Sequence, residues 1–235
     1  MSNFPASNSE INETGRIADN AHCVLVSGQG DLASVIASMF ASRGAKVALT
    51  GTAENCISLA DGEAKELIAQ ASEKLGGLSV LVNVCLPLPE YGIDFVTEYP
   101  DRLRSLCLAA AEVMVNTEGS PAIINHCALP AMYVGTKLED YMSTLRGGVT
   151  GVTRTYARKF GKLGLRVTAV QSGLSELADD SWVSQTVKDV RVPVKDWVSL
   201  EEIANFIGFL AIDSTYTTGQ TMIIDGGLTA GISGV

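Results

Sequence analysis

The sequence predicts an α/β protein: a single Rossmann-like domain with a doubly wound parallel sheet. Three features carry that expectation. Short apolar runs alternate with longer amphipathic segments, an early apolar run ends in a glycine turn, and the last apolar run stops at Asp225-Gly226-Gly227. The chain has 235 residues, 46% hydrophobic and 18% charged, enough for a buried core and unlike a disordered composition.

The elements follow in order. Residues 1–20 are rich in Ser, Asn and Glu, with neither a basic start nor an apolar stretch, and read as a mobile polar tail rather than a secretion signal. The domain is expected over 21–235, with no internal repeat and no linker. Cys23-Val24-Leu25-Val26 is a buried strand entering the turn Ser27-Gly28-Gln29-Gly30. A helix of small residues, Leu32 to Ser42, closes at Gly44, and Val47-Ala48-Leu49 is the second strand. From Gly51 to Asp61 there is room for a strand at Ile57-Ser58-Leu59 and little else, so the crossover helix after the second strand is expected to be shortened or missing. A helix from about Gly62 to Leu75, a strand at Leu78–Val84, a helix at Asp101–Val115 and a strand at Ala122–Asn125 come next. A long helix Glu139–Phe160 and a strand Arg166–Val170 follow. Ser199-Leu200-Glu201-Glu202 has the spacing of a capping box opening a helix to Ala211, and Thr221–Ile224 is the last strand.

Composition narrows the function classes. The net charge of -9 and pI near 4.7 repel phosphate backbones and anionic membranes, which argues against a nucleic-acid or membrane partner. No apolar stretch approaches the ~20 residues of a membrane span. With only His22 and His126, a His-rich metal site is excluded. Cys23, Cys56, Cys85, Cys107 and Cys127 form no Cys-x-x-Cys pair, which reads as a reduced, cytoplasmic chain.

Gly28-x-Gly30-x-x-Ala33 follows a strand and opens a helix, the context in which such a turn brings a pyrophosphate onto helix N-terminal amides. Two features oppose that. Asp31 puts a carboxylate in the turn, and Thr52, neither acidic nor basic, follows the second strand where a ribose would be read. The alternative is that Gly28, Gly30 and Ala33 serve only the turn and its packing.

From Ala21 to Thr229 the chain resembles the short-chain dehydrogenase/reductase family. The markers are Val24-Leu25-Val26-Ser27-Gly28, Gly77 to Asn83, Ile123-Ile124-Asn125, Gly151-Val152-Thr153-Arg154, Leu165-Arg166-Val167, Thr218-Gly219-Gln220 and Ile224-Asp225-Gly226-Gly227. The resemblance implies NAD(P) as cofactor, with Gly28, Gly30, Leu32, Asp61 and Asn83 as its vestigial contacts. It also implies a serine and a Tyr-x-x-x-Lys as catalytic groups, the tyrosine acting as general acid/base. Those positions depart from the pattern. Aligned on Gly151-Val152-Thr153, the tyrosine position holds Met142 and the lysine position Arg146. Aligned on Ile123-Ile124-Asn125, the serine position holds Cys127 or Ala128. A thioether has no transferable proton and a guanidinium does not release one. Ser79, Val84-Cys85, Thr168 and Ser172 also differ from the residues usual there.

Three rescues can be read. Tyr133-x-x-x-Lys137 matches the motif literally but looks like loop. Tyr141 with Arg146 and Cys127 resembles the halohydrin dehalogenases and would make the chain a non-redox enzyme, a dehalogenase, lyase or isomerase, but Tyr141 and Arg146 diverge by ~140° on an ideal helix unless it starts late or bulges. Cys127 could be a nucleophile with His126 as base, although adjacent strand residues face opposite ways. The plainer readings are a buried inert cysteine, a hydrogen-bonded His126 and an Arg146 paired with a carboxylate.

The helix Glu139–Phe160 keeps Gly147, Gly148 and Gly151, each costing ~1 kcal/mol relative to alanine, which points to the close approach of another backbone. With the association surfaces retained and the chemistry lost, the chain resembles silent subunits of the family. The expected partner is a homologous active NAD-dependent dehydrogenase in a heterotetramer, of the kind acting on a hydroxyacyl-CoA in anaerobic aromatic degradation.

Overall fold

The apolar runs become seven strands: β1 (Cys23–Ser27), β2 (Lys46–Thr50), β3 (Ile57–Leu59), β4 (Val80–Cys85), β5 (Ala122–Ala128), β6 (Arg166–Ser172) and β7 (Thr221–Ile224). They form one sheet in the order β3-β2-β1-β4-β5-β6-β7, with every neighbouring pair parallel. The computed structural model describes residues 22–85, 92–117, 119–128, 139–173, 175, 192–194 and 197–230. The polar tail expected at 1–20 lies outside them.

Five α-helices are described: α1 (Asp31–Ser42), α2 (Ala64–Leu75), α3 (Gly92–Met114), α4 (Glu139–Phe160) and α5 (Leu200–Gly208). Side chains alternate along each strand and so feed two cores. Leu25, Leu81, Ile123 and Val167 pack against α2, α3 and α4. Val24, Val26, Val82, Ile124 and Val170 pack against α1 and α5. This is the doubly wound arrangement, and β1 is its switch point: the chain leaves β1 toward β2 and β3, then returns to β4 on the other side. Ligands of such sheets bind at the carboxyl ends of the strands beside that reversal.

The crossover after β2 is missing as expected. β3 pairs with β2 through Ala48↔Ile57 and Thr50↔Leu59. Residues 51–56 therefore drop back by only two positions, about 7 Å at strand rise, before stepping sideways. A three-residue strand needs no helix to reach its partner.

The strand expected at Leu78–Val84 is Val80–Cys85, the one expected to end at Val170 runs to Ser172, and three other boundaries differ with a visible cause or consequence. The helix expected at Asp101–Val115 is α3, Gly92–Met114, with Pro100 inside it. Proline lacks the N–H and crowds the preceding turn, so it reads as a boundary. Here tertiary packing prevails: a Cβ on Gly148 of α4 would lie 3.1 Å from Pro100 Cγ, so the glycine makes room for the proline ring. The strand expected to stop at Asn125 continues to Ala128. The last helix, expected to reach Ala211, is α-helical to Gly208 and then widens into a π turn, Phe209–Asp213. Its start is as read: Ser199 Oγ accepts from Glu202 N at 3.2 Å while Glu202 Oε2 accepts from Ser199 N at 3.0 Å.

Arg166 explains the widened turn. It lies at the amino end of β6, 5% exposed. It donates to Leu210 O at 2.7 Å, Ala211 O at 2.8 Å and Ser120 Oγ at 2.9 Å. The last carbonyls of a helix lack internal partners, and a cation there also meets the negative end of the dipole. Burial lowers the guanidinium pKa to about 10.

Candidate functional site

At the carboxyl end of β1 the chain turns under tight contact. A Cβ on Gly28 would lie 2.7 Å from Val84 Cβ, so only glycine lets the turn lie flat on β4. Thr50, the last residue of β2, fastens it from the other side: Gly28 N donates to Thr50 Oγ1 at 2.8 Å, and that hydroxyl donates to Gly28 O at 2.9 Å. Gly30 has φ 85 and ψ -178, a conformation essentially confined to glycine, and is the N-cap of α1. No side chain caps that helix, and a Cβ on Gly30 would meet nothing within 4 Å. Asp31 follows, exposed, in the first turn. Leu32 is fully buried in the core below.

The other two expected cofactor contacts are engaged elsewhere. Asp61 Oδ1 accepts from Arg102 of α3 and from Gly62 N at 3.0 Å. Asn83, fully buried in β4, donates to Asn125 Oδ1 at 2.8 Å. Asn125 donates to Thr153 Oγ1 at 3.0 Å, and Cys107 Sγ lies 3.5 Å from Asn125 Oδ1. This chain of polar groups ties β4, β5, α3 and α4 together within one core. It leaves Asn83 Oδ1 buried with no hydrogen-bond partner.

The extension of β5 decides where its chemistry faces. Cys127, which aligns with Cys85 of β4 and Gln171 of β6, is fully buried on the α3/α4 side. His126 is likewise buried and hydrogen-bonds through Nε2 to Ser172 Oγ of β6 at 2.9 Å, while its Nδ1 has no partner. The two neighbours thus lie on opposite faces, and a Cys127–His126 couple is not assembled. Burial lowers the His126 pKa to about 3, so the ring is neutral at physiological pH. Burial raises Cys107 to about 12, and burial, then the Cys127 thiol, raises Cys85 well above the ordinary range. Tyr99 of α3, also raised by burial, sits among these thiols. Such groups hold their protons; they are not activated nucleophiles.

Helix α4 is α-helical without interruption from Glu139. Tyr141 and Met142 belong to it; their side chains, like all of Tyr133 and Lys137, lie outside the described residues. An unbroken α4 keeps Tyr141 ~140° around from Arg146, without the bulge that would align them. Arg146 does not take the expected carboxylate. Its described contact is to Gln171 Oε1 of β6 at 3.5 Å, and its Nε is buried without an acceptor. Gln171 Nε2 in turn reaches Thr150 Oγ1 of α4 at 3.5 Å. Of the three glycines on α4, Gly148 answers Pro100 of the same chain, whereas a Cβ on Gly147 or Gly151 would meet nothing within 4 Å.

The carboxyl edge therefore gathers Asn83, Cys127 and Arg146 along one face and Gly28 and Gly30 at the switch point, and leaves Asp61 at the β3 margin. Sequence reasoning missed Thr50, Thr153, Gln171 and Ser172. For Thr50, Gln171 and Ser172 the available signal was a hydroxyl or amide at the end of an otherwise apolar strand; Thr153 lies within α4 and had no such signal. Among the described residues no group of three or more His, Cys, Asp or Glu side chains could hold a metal ion, and no helix is long and apolar enough to cross a membrane.

Comparison with known proteins places this geometry. Residues 102–229 match the family model described as enoyl-(acyl carrier protein) reductase. Glucose 1-dehydrogenase of Gluconobacter oxydans is 32% identical over 248 residues, covering 88% of this chain and 91% of that protein. The chain belongs to the short-chain dehydrogenase/reductase family. A 3-oxoacyl-acyl-carrier-protein reductase of Staphylococcus epidermidis is 29% identical over 71% of this chain and 72% of its own. Among solved structures, the TT0495 protein of Thermus thermophilus superposes with a TM-score of 0.76 at 24% identity, covering 90% of this chain and all of that one. A Serratia marcescens short-chain dehydrogenase/reductase variant gives 0.76 at 22%, over 89% of this chain and 98% of its own. These likenesses establish the fold and support an oxidoreductase of this family.

Proposed function

We propose that this chain is a catalytically silent short-chain dehydrogenase/reductase subunit that supports an active, homologous NAD-dependent dehydrogenase in a hetero-oligomer. One observation carries the reading: β5 runs through to Ala128, so the alternatives for the family's serine are a buried Cys127 and an alanine, neither a usable hydroxyl donor. Met142 and Arg146 at the tyrosine and lysine positions support it from the sequence.

A nicotinamide dinucleotide, the group the family implies, fits these residues badly. The Gly28 amide is spent on Thr50. A carboxylate at Asp31 stands in the first turn of α1, where pyrophosphate charge would gather. Asp61 is held by Arg102 and Asn83 by Asn125. Only the open space at Gly30 and the uncapped helix start favour a phosphate.

Gly147 and Gly151, exposed on α4 with nothing above them, support an association face. For the partner's substrate, the relatives named as acting on acyl thioesters point to a hydroxyacyl-CoA. They include a (3R)-3-hydroxyacyl-CoA dehydrogenase of Rattus norvegicus, 32% identical over 51% of this chain and 48% of its own. The pattern of losses also resembles the inactive subunit of the heteromeric 2-(hydroxy(phenyl)methyl)succinyl-CoA dehydrogenase of anaerobic toluene degradation.

The test is calorimetry of the lone chain with NAD(H) and NADP(H), a dehydrogenase assay with a 3-hydroxyacyl-CoA, and native mass spectrometry after co-expression with a catalytically complete homologue. No heat, no turnover and a defined hetero-oligomer are expected. Turnover by the lone chain, or failure to associate, overturns the reading. A conventional oxidoreductase is the second reading, favoured by the dehydrogenase and reductase names of its relatives. It would rest on Tyr133 and Lys137, and loss of lone-chain turnover in Tyr133→Phe would establish it.

A further inference from the structure

The buried polar atoms without a hydrogen-bond partner include Asn83 Oδ1, His126 Nδ1 and Arg146 Nε. All three lie toward the carboxyl ends of the strands. Asn83 and His126 are in the second halves of β4 and β5, and Arg146 faces Gln171, the penultimate residue of β6. Arg146 differs from the other two because its orphaned atom belongs to a guanidinium, a donor-only group. A guanidinium donor taken from water and left without an acceptor is unfavourable, and no described carboxylate is paired with it.

The polar groups around it are slack in the same way. The contact from Arg146 to Gln171 Oε1 and the contact from Gln171 Nε2 to Thr150 Oγ1 are both 3.5 Å, at the outer limit of a hydrogen bond. Thr221 Oγ1 of β7 approaches the same Thr150 hydroxyl at 3.4 Å. Gln171 is itself 4% exposed. These groups face one another across the seam between α4, the carboxyl end of β6 and the first residue of β7 without saturating one another. An acceptor of two adjacent lone pairs would satisfy them better than they satisfy themselves.

We propose that Arg146 and Gln171 form a binding site for a small carboxylate anion at the carboxyl edge of β6, on the α4 side. A carboxylate matches the planar fork of a guanidinium, accepting from Nε and a terminal nitrogen together, with Gln171 Nε2 as a third donor. The single positive charge of Arg146 balances a single carboxylate, and the acidic chain as a whole disfavours a more highly charged ligand. The site is a ligand-binding feature of this chain alone and stands or falls independently of the subunit reading.

Thermal melting of the full chain with butyrate, with isosteric butyramide and with sodium chloride at matched ionic strength tests it. Butyrate raises the midpoint saturably, by about 3–6 °C at tenfold excess over its Kd. Butyramide and chloride leave it unmoved, and Arg146→Gln abolishes the shift. If Arg146→Gln does not melt cooperatively, Arg146→Lys keeps the charge but not the fork, and calorimetry shows butyrate bound at least tenfold more weakly. A butyrate shift equal to that of chloride or butyramide, or one that persists in the arginine variant that folds, overturns the proposal.

Discussion

The two ends of β6 hold two arginines in opposite circumstances. At its amino end Arg166 is nearly inaccessible and fully employed, closing the π turn after α5 through two carbonyls and gripping Ser120. At its carboxyl end Arg146 reaches one amide oxygen at the limit of bonding and leaves its Nε unserved. The same contrast runs across the sheet. On the amino side Ser79 Oγ accepts from Cys23 N at 3.0 Å, and Thr117 donates to Leu78 O at 3.1 Å. On the carboxyl side Asn83 and His126 each keep an orphaned atom. At the carboxyl edge this leaves unspent polarity where parallel sheets bind ligands.

The contrast is broken most directly by truncating the arginines. Arg166→Ala strands two buried helix-end carbonyls and releases the half-buried Ser120, and is expected to lose about 3–4 kcal/mol in urea denaturation. Arg146→Met, by comparison, removes a cation that has little to lose, and its change is expected to stay within about 1 kcal/mol. Equal losses at both positions would erase the distinction between the edges.

His126 sharpens the comparison through pH. Its folded pKa of about 3 lies below the ordinary 6.5, so between those values the unfolded chain binds a proton that the folded chain does not. Stability is therefore present above pH 6.5 and is lost as pH falls toward 3, at about 1.4 kcal/mol per pH unit from this group. Relative to a His126→Gln variant, the wild type is expected to lose about 3 kcal/mol more between pH 7.5 and 4.5. Parallel acid limbs for the two proteins would show that the histidine protonates in place.

Much of this architecture was legible because it rests on local chemistry. The Ser199 capping box, the unbroken Glu139–Phe160 helix and the short path from Gly51 to Ile57 each follow from spacing alone. The misreadings have one cause, the partner a residue finds across the fold. Pro100 reads as a helix boundary until Gly148 is seen to make room for its ring. Asn125 reads as a strand end until its amide is seen bonded to Thr153 inside the core. At the site, the residue types at 127 and 128 were visible, but Thr50 closing on Gly28, and Arg146 reaching Gln171 rather than a described carboxylate, are pairings no spacing encodes.

Thr50 offers a smaller test. Thr50→Val removes both hydrogen bonds to Gly28 while keeping the β-branched shape, and is expected to cost about 1–2 kcal/mol in thermal or urea unfolding. It also frees the Gly28 amide. If that pairing is what withholds the turn from a pyrophosphate, the variant gains measurable heat with NADH in calorimetry where the wild type shows none. Silence in both proteins would place the obstacle at Asp31 instead, and Asp31→Ser on the Thr50→Val background is then the decisive combination.

The smallest effect separates the chain alone from the chain in company. Gly151 is exposed on α4 with open space where a Cβ would stand, so nothing within this subunit requires glycine. Gly151→Ala is therefore expected to stabilise the lone chain by up to about 1 kcal/mol, raising its melting midpoint by about 2–4 °C. A helix that keeps an unfavourable residue against its own stability has a use for the missing side chain elsewhere. If that use is the approach of a second backbone, the same substitution weakens the hetero-oligomer seen by native mass spectrometry. Stabilisation without any loss of assembly would remove α4 from the association surface and leave its open glycines without a role.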